Sequence, residues 1–174
     1  NLVVRGAKSE YIAFIDSDDI WEKEKLSSQL TFMVKNKYHF TYTNYTAFRS
    51  ENNLREIYPP EYFSFEKFIR NTSIGTSTMI IKSSSIGNVK FSNTKICEDY
   101  FFKCQILKKV NYAYCLPKSL TKYRIRKDSL QSNKMRNLYW IWYINKHYNQ
   151  FSFLKNLISI LCISINSLKK YGYK

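Results

Sequence analysis

The chain is poor in residues that build metal or covalent scaffolds. Its 174 residues hold four cysteines and two histidines. Cys97, Cys104, Cys115 and Cys162 show no CxxC spacing, which argues against a zinc site. Nothing at the N-terminus resembles a secretory signal, so the expectation is free, mostly buried thiols in a reducing compartment. Four Gly and three Pro exclude collagen-like and low-complexity chains. Acidic residues are also scarce. Lys+Arg is 28 against 13 Asp+Glu, a net charge of +15. From residue 100 onward Asp128 is the only acid.

What is present is enough for one core. The chain is 44% hydrophobic and 17% aromatic, which excludes a disordered polycation. The length fits one domain. Abundant Lys, Asn, Ile, Tyr and Ser fit AT-rich coding DNA, which explains part of the charge. The uneven distribution of that charge points to a polyanionic neighbour: nucleic acid, an anionic membrane or a diphosphate. The first residue is Asn1, and the pattern begins in mid-element, as expected of a fragment or a truncated product.

Strand-like and helix-like segments alternate, which indicates an α/β domain. Tyr11 to Ile15 is a nearly continuous apolar run, expected as a buried strand of the parallel type. Trp21 to Lys35 reads as a helix, with Leu26, Leu30, Met33 and Val34 at helical spacing and Asp18 or Asp19 as cap. Tyr38 to Tyr45 reads as a strand, 49–61 as a loop, Phe65 to Arg70 as a short helix and Thr76 to Ile81 as a strand. Ser83 to Gly87 is a turn or short helix. A helix runs from Glu98 to about Lys109, with Phe102, Ile106 and Leu107 on one side. Val110–Leu116 and Thr121–Arg126 are further strands. Beyond Ser132 the chain reads as helical. Residues 1–132 are thus expected as one α/β part and 133–174 as a basic, aromatic helical tail.

Four constellations could carry chemistry. Asp16, Asp18 and Asp19 cluster where an apolar strand ends, the edge at which open α/β sheets bind ligands. Clustered carboxylates suit a hard cation shared with phosphate oxygens; a capped, solvated turn reads the same. Glu98 and Asp99 open a helix and could supply a general base, or merely favour the helix dipole. Lys122, Arg124, Arg126 and Lys127 could clamp phosphates, or protect an edge strand. Leu154, Leu157, Ile158, Leu161, Ile165 and Leu168 form an apolar stripe. Lys155, Asn156 and Asn166 interrupt it, so it is not a membrane span. It fits either an anionic membrane surface or packing on its own domain. The triplets beginning at Asn44 and Asn71 match the glycosylation pattern by chance. No helix-turn-helix, zinc-finger or RNP-like pattern supports nucleic-acid binding.

The order of these parts is more specific than any one of them. Gly6 through Trp21, containing Tyr11-Ile12-Ala13-Phe14-Ile15-Asp16-Ser17-Asp18-Asp19, resembles the metal-binding stretch of family 2 glycosyltransferases of the GT-A fold. Ser9 stands where that family usually has glycine. Ile74 to Ile80 resembles its acceptor-side strand, Cys97-Glu98-Asp99-Tyr100-Phe101 its E-D motif, and Tyr123-Arg124 with Ser129 and Ser132 its late Y-R and S-x-S element. The aromatic tail resembles bacterial members that build lipopolysaccharide or capsule sugars.

The resemblance implies a partial GT-A, Rossmann-like mixed sheet flanked by helices, with an amphipathic C-terminal tail. It implies inverting transfer of a sugar from a nucleotide diphosphate sugar to a glycan or lipid-linked hydroxyl. By it, Asp18 holds Mn²⁺ or Mg²⁺ with Asp16 supporting it near the donor sugar or ribose. Asp99 is the general base and Glu98 orients the acceptor. Arg124 and Arg126 hold the diphosphate. Gly75, Thr76, Ser77 and Trp21 lie on the acceptor side. The expected location is cytoplasmic, peripheral on the inner face of the cell membrane, with no nucleic-acid partner. Two departures stand out. No His follows the Tyr-Arg pair as a further metal ligand. The family's N-terminal nucleotide-binding half is not in these residues, so the alternative is an inactive remnant that acts only as a basic membrane- or partner-binding module.

Overall fold

The computed structural model describes residues 8–49, 54–126 and 133–171. Ser129 and Ser132 of the late motif, and Gly6 of the first, lie outside the described residues.

The described strands form one mixed sheet: β1 (Tyr11–Ala13), β2 (Ile20–Trp21), β3 (Phe40–Phe48), β4 (Leu54–Ile57), β5 (Tyr62–Ser64), β6 (Ile80–Lys82) and β7 (Tyr112–Arg124). Their order is β1-β6-β3-β7-β2, with β4 on β3 and β5 on β7. The parallel β3–β7 pair is the spine, running from Thr41 opposite Tyr114 to Phe48 opposite Arg124. Its register shifts after Thr43, opposite Leu116-Pro117. Proline cannot donate to a ladder, so it sits at the bulge. The other described pairs are antiparallel. The expected mixed sheet flanked by helices is therefore present.

The helices are α1 (Lys25–Asn36), α2 (Phe65–Phe68), α3 (Ser83–Ile86), α4 (Glu98–Val110), α5 (Lys134–His147) and α6 (Phe153–Tyr171), with a 3-10 turn at Thr76–Thr78. The core is aromatic: Phe40, Tyr42, Phe63, Phe68 and Phe102 are fully buried, and Phe91 stacks on Phe102 at 4.3 Å. Phe102, Ile106 and Leu107 of α4 face it as expected. Ile141, Ile144 and Ile163 bring α5 and α6 into the same core. All four cysteines are free, and burial pushes the Cys97, Cys104 and Cys115 thiols up to about 12.

Several expectations of local structure are corrected. β1 is half-buried and antiparallel to β6, not a buried parallel strand. The segment 49–61 holds β4, so β3 continues into a hairpin. Thr76–Thr78 is a 3-10 turn, because the Gly75 carbonyl accepts from both the Thr78 amide and hydroxyl. The two late strands are one, β7, and β7 is interior rather than an edge. The tail breaks between His147 and Phe153. Neither Asp18 nor Asp19 caps α1, since β2 intervenes and Glu24 is the cap residue.

Candidate active site

The aspartate turn is built by distant parts of the chain. Beyond β1, the Asp19 amide closes on the Asp16 carbonyl at 3.1 Å. The Asp16 amide donates to Ser77 Oγ at 2.9 Å, which ties the turn to the 3-10 segment. From the other side the Arg124 amide donates to Asp19 Oδ1 at 2.8 Å, and Arg124 Nε donates to the Asp18 carbonyl at 3.1 Å. Arg126 Nη1 lies 3.7 Å from Asp18 Oδ2. β2 then pairs with β7, Ile20 opposite Lys122 and Trp21 opposite Thr121. The turn is thus clamped where β7 ends.

Two cavities open on either side of this turn. One, of about 220 Å³, is lined by Phe14, Ile15, Asp16, Thr76, Phe91, Glu98 and Asp99. The other, of about 400 Å³, is lined by Asp18, Arg49, Arg124, Ile125 and Arg126. The first is acidic with aromatic walls. The second holds three guanidinium groups, the chemistry that recognises phosphate oxygens. Asp16 and Asp18, paired in the sequence reading, open onto different cavities.

Asp99 is the most constrained carboxylate. Lys103, one helical turn on and 3% exposed, donates to Asp99 Oδ2 at 2.8 Å. Thr76 Oγ1 donates to the same oxygen at 3.1 Å. Lys103 also donates to the Ile74 carbonyl at 2.9 Å and to Thr76 Oγ1 at 3.0 Å, so all three ammonium protons are used. Burial alone would raise Asp99; the Lys103 charge and hydrogen bond, with Thr76 and the Tyr100 amide, hold it below its ordinary value. The side chain remains 26% exposed at the cavity wall. Cys97, just before the helix, is left-handed at φ 62°, a costly conformation for a non-glycine residue. Burial pushes Asp16 up; Lys103 opposes this, and Asp99 and Asp18 add to it.

The structure brings Asp16, Thr76, Glu98 and Asp99 together, and separately Asp18, Arg124 and Arg126. Gly75, Ser77 and Trp21 line neither cavity. They form the frame between them: Trp21 Nε1 donates to the Ser77 carbonyl at 2.7 Å, and Ser77 is fully buried. Lys122 pairs with Glu22 at 3.2 Å, outside both cavities. Two residues had no part in the sequence reading. Arg49 has no local signal; it arrives because Phe48 pairs with Arg124. Lys103 did leave a trace, the i,i+4 spacing from Asp99.

Among the described residues no three His, Cys, Asp or Glu side chains converge as a ready metal cage. The oxygen donors nevertheless suit a hard cation shared with phosphate oxygens. Asp18 faces the arginine cavity, and Asp19 Oδ2 beside it is buried with no hydrogen-bond partner. No described helix is long and apolar enough to cross a membrane.

Comparison with known proteins agrees with this architecture. Glycosyl transferase family 2 matches residues 1–94. TuaG of Bacillus subtilis, a glycosyltransferase assigned to teichuronic acid biosynthesis, is 29% identical over 172 residues, covering 98% of this chain and 68% of TuaG. WfgD of Escherichia coli, a UDP-Glc:alpha-D-GlcNAc-diphosphoundecaprenol beta-1,3-glucosyltransferase, is 32% identical over 143 residues, covering 82% of this chain and 56% of WfgD. In fold, the chain is similar to residues 1–349 of S. aureus TarS solved with UDP-GlcNAc, with a TM-score of 0.62 at 15% identity, covering 100% of this chain and 52% of that one. The chain thus spans about half to two thirds of these proteins. With more than half its length matched by that family's model, the chain belongs to glycosyl transferase family 2.

Proposed function

We propose that the protein carrying this chain transfers a sugar, with inversion, from a nucleotide diphosphate sugar to a hydroxyl of a glycan or lipid-linked acceptor in bacterial surface polysaccharide synthesis. One observation carries the reading. A carboxylate fixed by Lys103 and Thr76 stands in one cavity, and three arginines stand in the next, across a single aspartate turn.

Asp99 accepts the proton of the acceptor hydroxyl as that oxygen bonds the anomeric carbon and the bond to the diphosphate breaks. Glu98 and the Phe14 and Phe91 rings orient the acceptor. Arg49 and Arg126, with Arg124 behind them, receive the charge of the leaving diphosphate. Asp18 would hold Mn²⁺ or Mg²⁺, which would supply Lewis-acid stabilisation of that leaving group; Asp16, which opens onto the acidic cavity, stands apart from it. The names of the relatives support this chemistry: WfgD takes a UDP-sugar and a diphosphoundecaprenol acceptor, and TarS was solved with UDP-GlcNAc.

The test is Asp99→Asn. Loss of a general base lowers turnover by about 10²–10⁴-fold, while donor binding, made in the other cavity, is retained. Full-rate transfer by Asp99→Asn would remove Asp99 from the base role.

A further inference from the structure

The last helix is turned the wrong way round for a core element. Beside Ile163, the side of α6 that meets the domain is mostly polar. Asn156 and Ser159 are each 1% exposed, and both accept from Asn145 Nδ2 at 3.1 Å. Asn145 Oδ1 accepts the Tyr100 hydroxyl at 2.8 Å. Ser159 Oγ donates to the Ile69 carbonyl at 2.6 Å, and Asn156 Nδ2 to the Trp142 carbonyl at 3.0 Å. Further along, Asn166 Nδ2 donates to the Arg70 carbonyl, and Arg55 to the Lys169 carbonyl. A buried network of this kind is stable only when fully paired, so it fixes the rotation of the helix.

That rotation puts the apolar stripe outside. Leu154 is 64% exposed, and Leu161 and Ile165 are 53% each, with Leu157 and Ile158 between them. From Leu154 to Ile165 the stripe runs about 17 Å along a 19-residue helix, at 1.5 Å per residue. A contiguous apolar surface of that extent marks a contact.

Charge identifies the contact. Residues 133–174 carry seven Lys or Arg and no Asp or Glu. Lys169 is exposed one turn beyond Ile165, while Lys155 at the other end is paired with Glu66 at 2.7 Å. A second copy would set two such faces together, each on a chain of net charge +15. An apolar strip on a basic segment that carries no acids suits anionic lipid headgroups over acyl chains. We propose that α6 lies in the plane of an anionic lipid surface, its Leu154–Ile165 stripe inserted and its Asn156–Ser159 side holding the catalytic domain. The proposal does not rest on the transfer reading, because lipid binding needs neither donor nor acceptor.

The experiment is co-sedimentation of the purified protein with phosphatidylcholine vesicles, with and without phosphatidylglycerol. Binding should require phosphatidylglycerol and weaken as salt rises. Leu161→Glu with Ile165→Glu should lower partitioning at least about tenfold with the melting temperature unchanged, since neither side chain packs in the core. Should that variant misfold, Leu161→Ala with Ile165→Ala removes the same apolar area without adding charge and should also weaken binding. Failure of the wild type to bind anionic vesicles would overturn the proposal. So would equal binding to neutral vesicles, or unchanged binding of a folded double variant. A salt-stable dimer broken by the Glu pair, with no vesicle binding, would make the face an interface between copies instead.

Discussion

Replacing Lys103 by Met separates the ionisation of Asp99 from its position in the fold. In the native protein the ammonium group spends all three protons on Asp99 Oδ2, Thr76 Oγ1 and the Ile74 carbonyl. Methionine fills similar space and offers none of these bonds. Removing one partner of a fully buried pair costs about 3–5 kcal/mol. Asp99 is 26% exposed, so water takes up part of the loss and about 2–3 kcal/mol is expected. The effect on titration is the more specific one. The native Asp99 sits below its ordinary value although burial pushes it up. Its stabilising contribution is therefore complete above the ordinary carboxylate range and fades as pH falls through its depressed folded value. Without Lys103, burial dominates and the folded value rises above the ordinary one. Asp99 then destabilises at neutral pH and is relieved as pH falls. A charged neighbour at this distance shifts a carboxylate by about 1–3 pH units. The acid limb of kcat/KM for sugar transfer should move up by at least about one unit, with donor affinity unchanged. A folded Lys103→Met protein whose acid limb stays in place would refute the claim that Lys103 sets the charge of Asp99.

Two further outcomes follow from other buried or convergent charges. Lys25 is fully buried, bonded to Gln29 Oε1 at 2.8 Å and held 4.5 Å from the Trp21 ring, and burial lowers it to about 7. Between about pH 7 and 10.5 the unfolded chain holds a proton that the folded chain does not, so stability should climb by up to about 1.4 kcal/mol per pH unit. Lys25→Met should flatten that rise in urea titrations; a slope unchanged by the substitution would show that Lys25 stays protonated when folded. Arg126→Ala should raise the dissociation constant for inorganic diphosphate about three- to tenfold in calorimetric titration. An unchanged constant would take Arg126 out of the anion cavity.

The parts of the site legible in the sequence were those carried by contiguous motifs. Asp16 to Asp19 and Glu98-Asp99 announce themselves because each occupies a few adjacent residues at the end of a strand or the start of a helix. Arg49 does not, because its meaning comes from the register of β3 on β7. The separation of Asp16 from Asp18 was equally hidden: residues two apart on a turn can point apart, and only the clamps from Ser77, Arg124 and Arg126 show which way each goes. β4 was missed because Pro59-Pro60 and the polar residues before it look like loop, while the pairing that makes it a strand is with β3.

Helix phase was not legible in the sequence, for a reason that bears on function. The period of α1 and α6 is plain in the apolar spacing, and both helices form. Apolar spacing says which residues share a face; the assumption that this face turns inward is separate. In α1 the buried positions are Lys25, Gln29 and Met33, while Leu26 and Val34 are 42% and 60% exposed. Gln29 repays its burial by donating to Thr41 Oγ1 and the Thr78 carbonyl, which anchors the helix to the 3-10 turn behind the aspartates. In α6 the Asn145, Asn156 and Ser159 network does the same against Tyr100, two residues from the helix start that carries Asp99. Each helix therefore uses hydrogen bonds, whose partners are distant in sequence, to hold a segment of the site, and leaves part of its apolar surface exposed. An unsatisfied amide in either network costs about 1–3 kcal/mol, enough to oppose rotation of the helix toward a conventional apolar packing. For α6 this makes the outward stripe a consequence of how the site is braced.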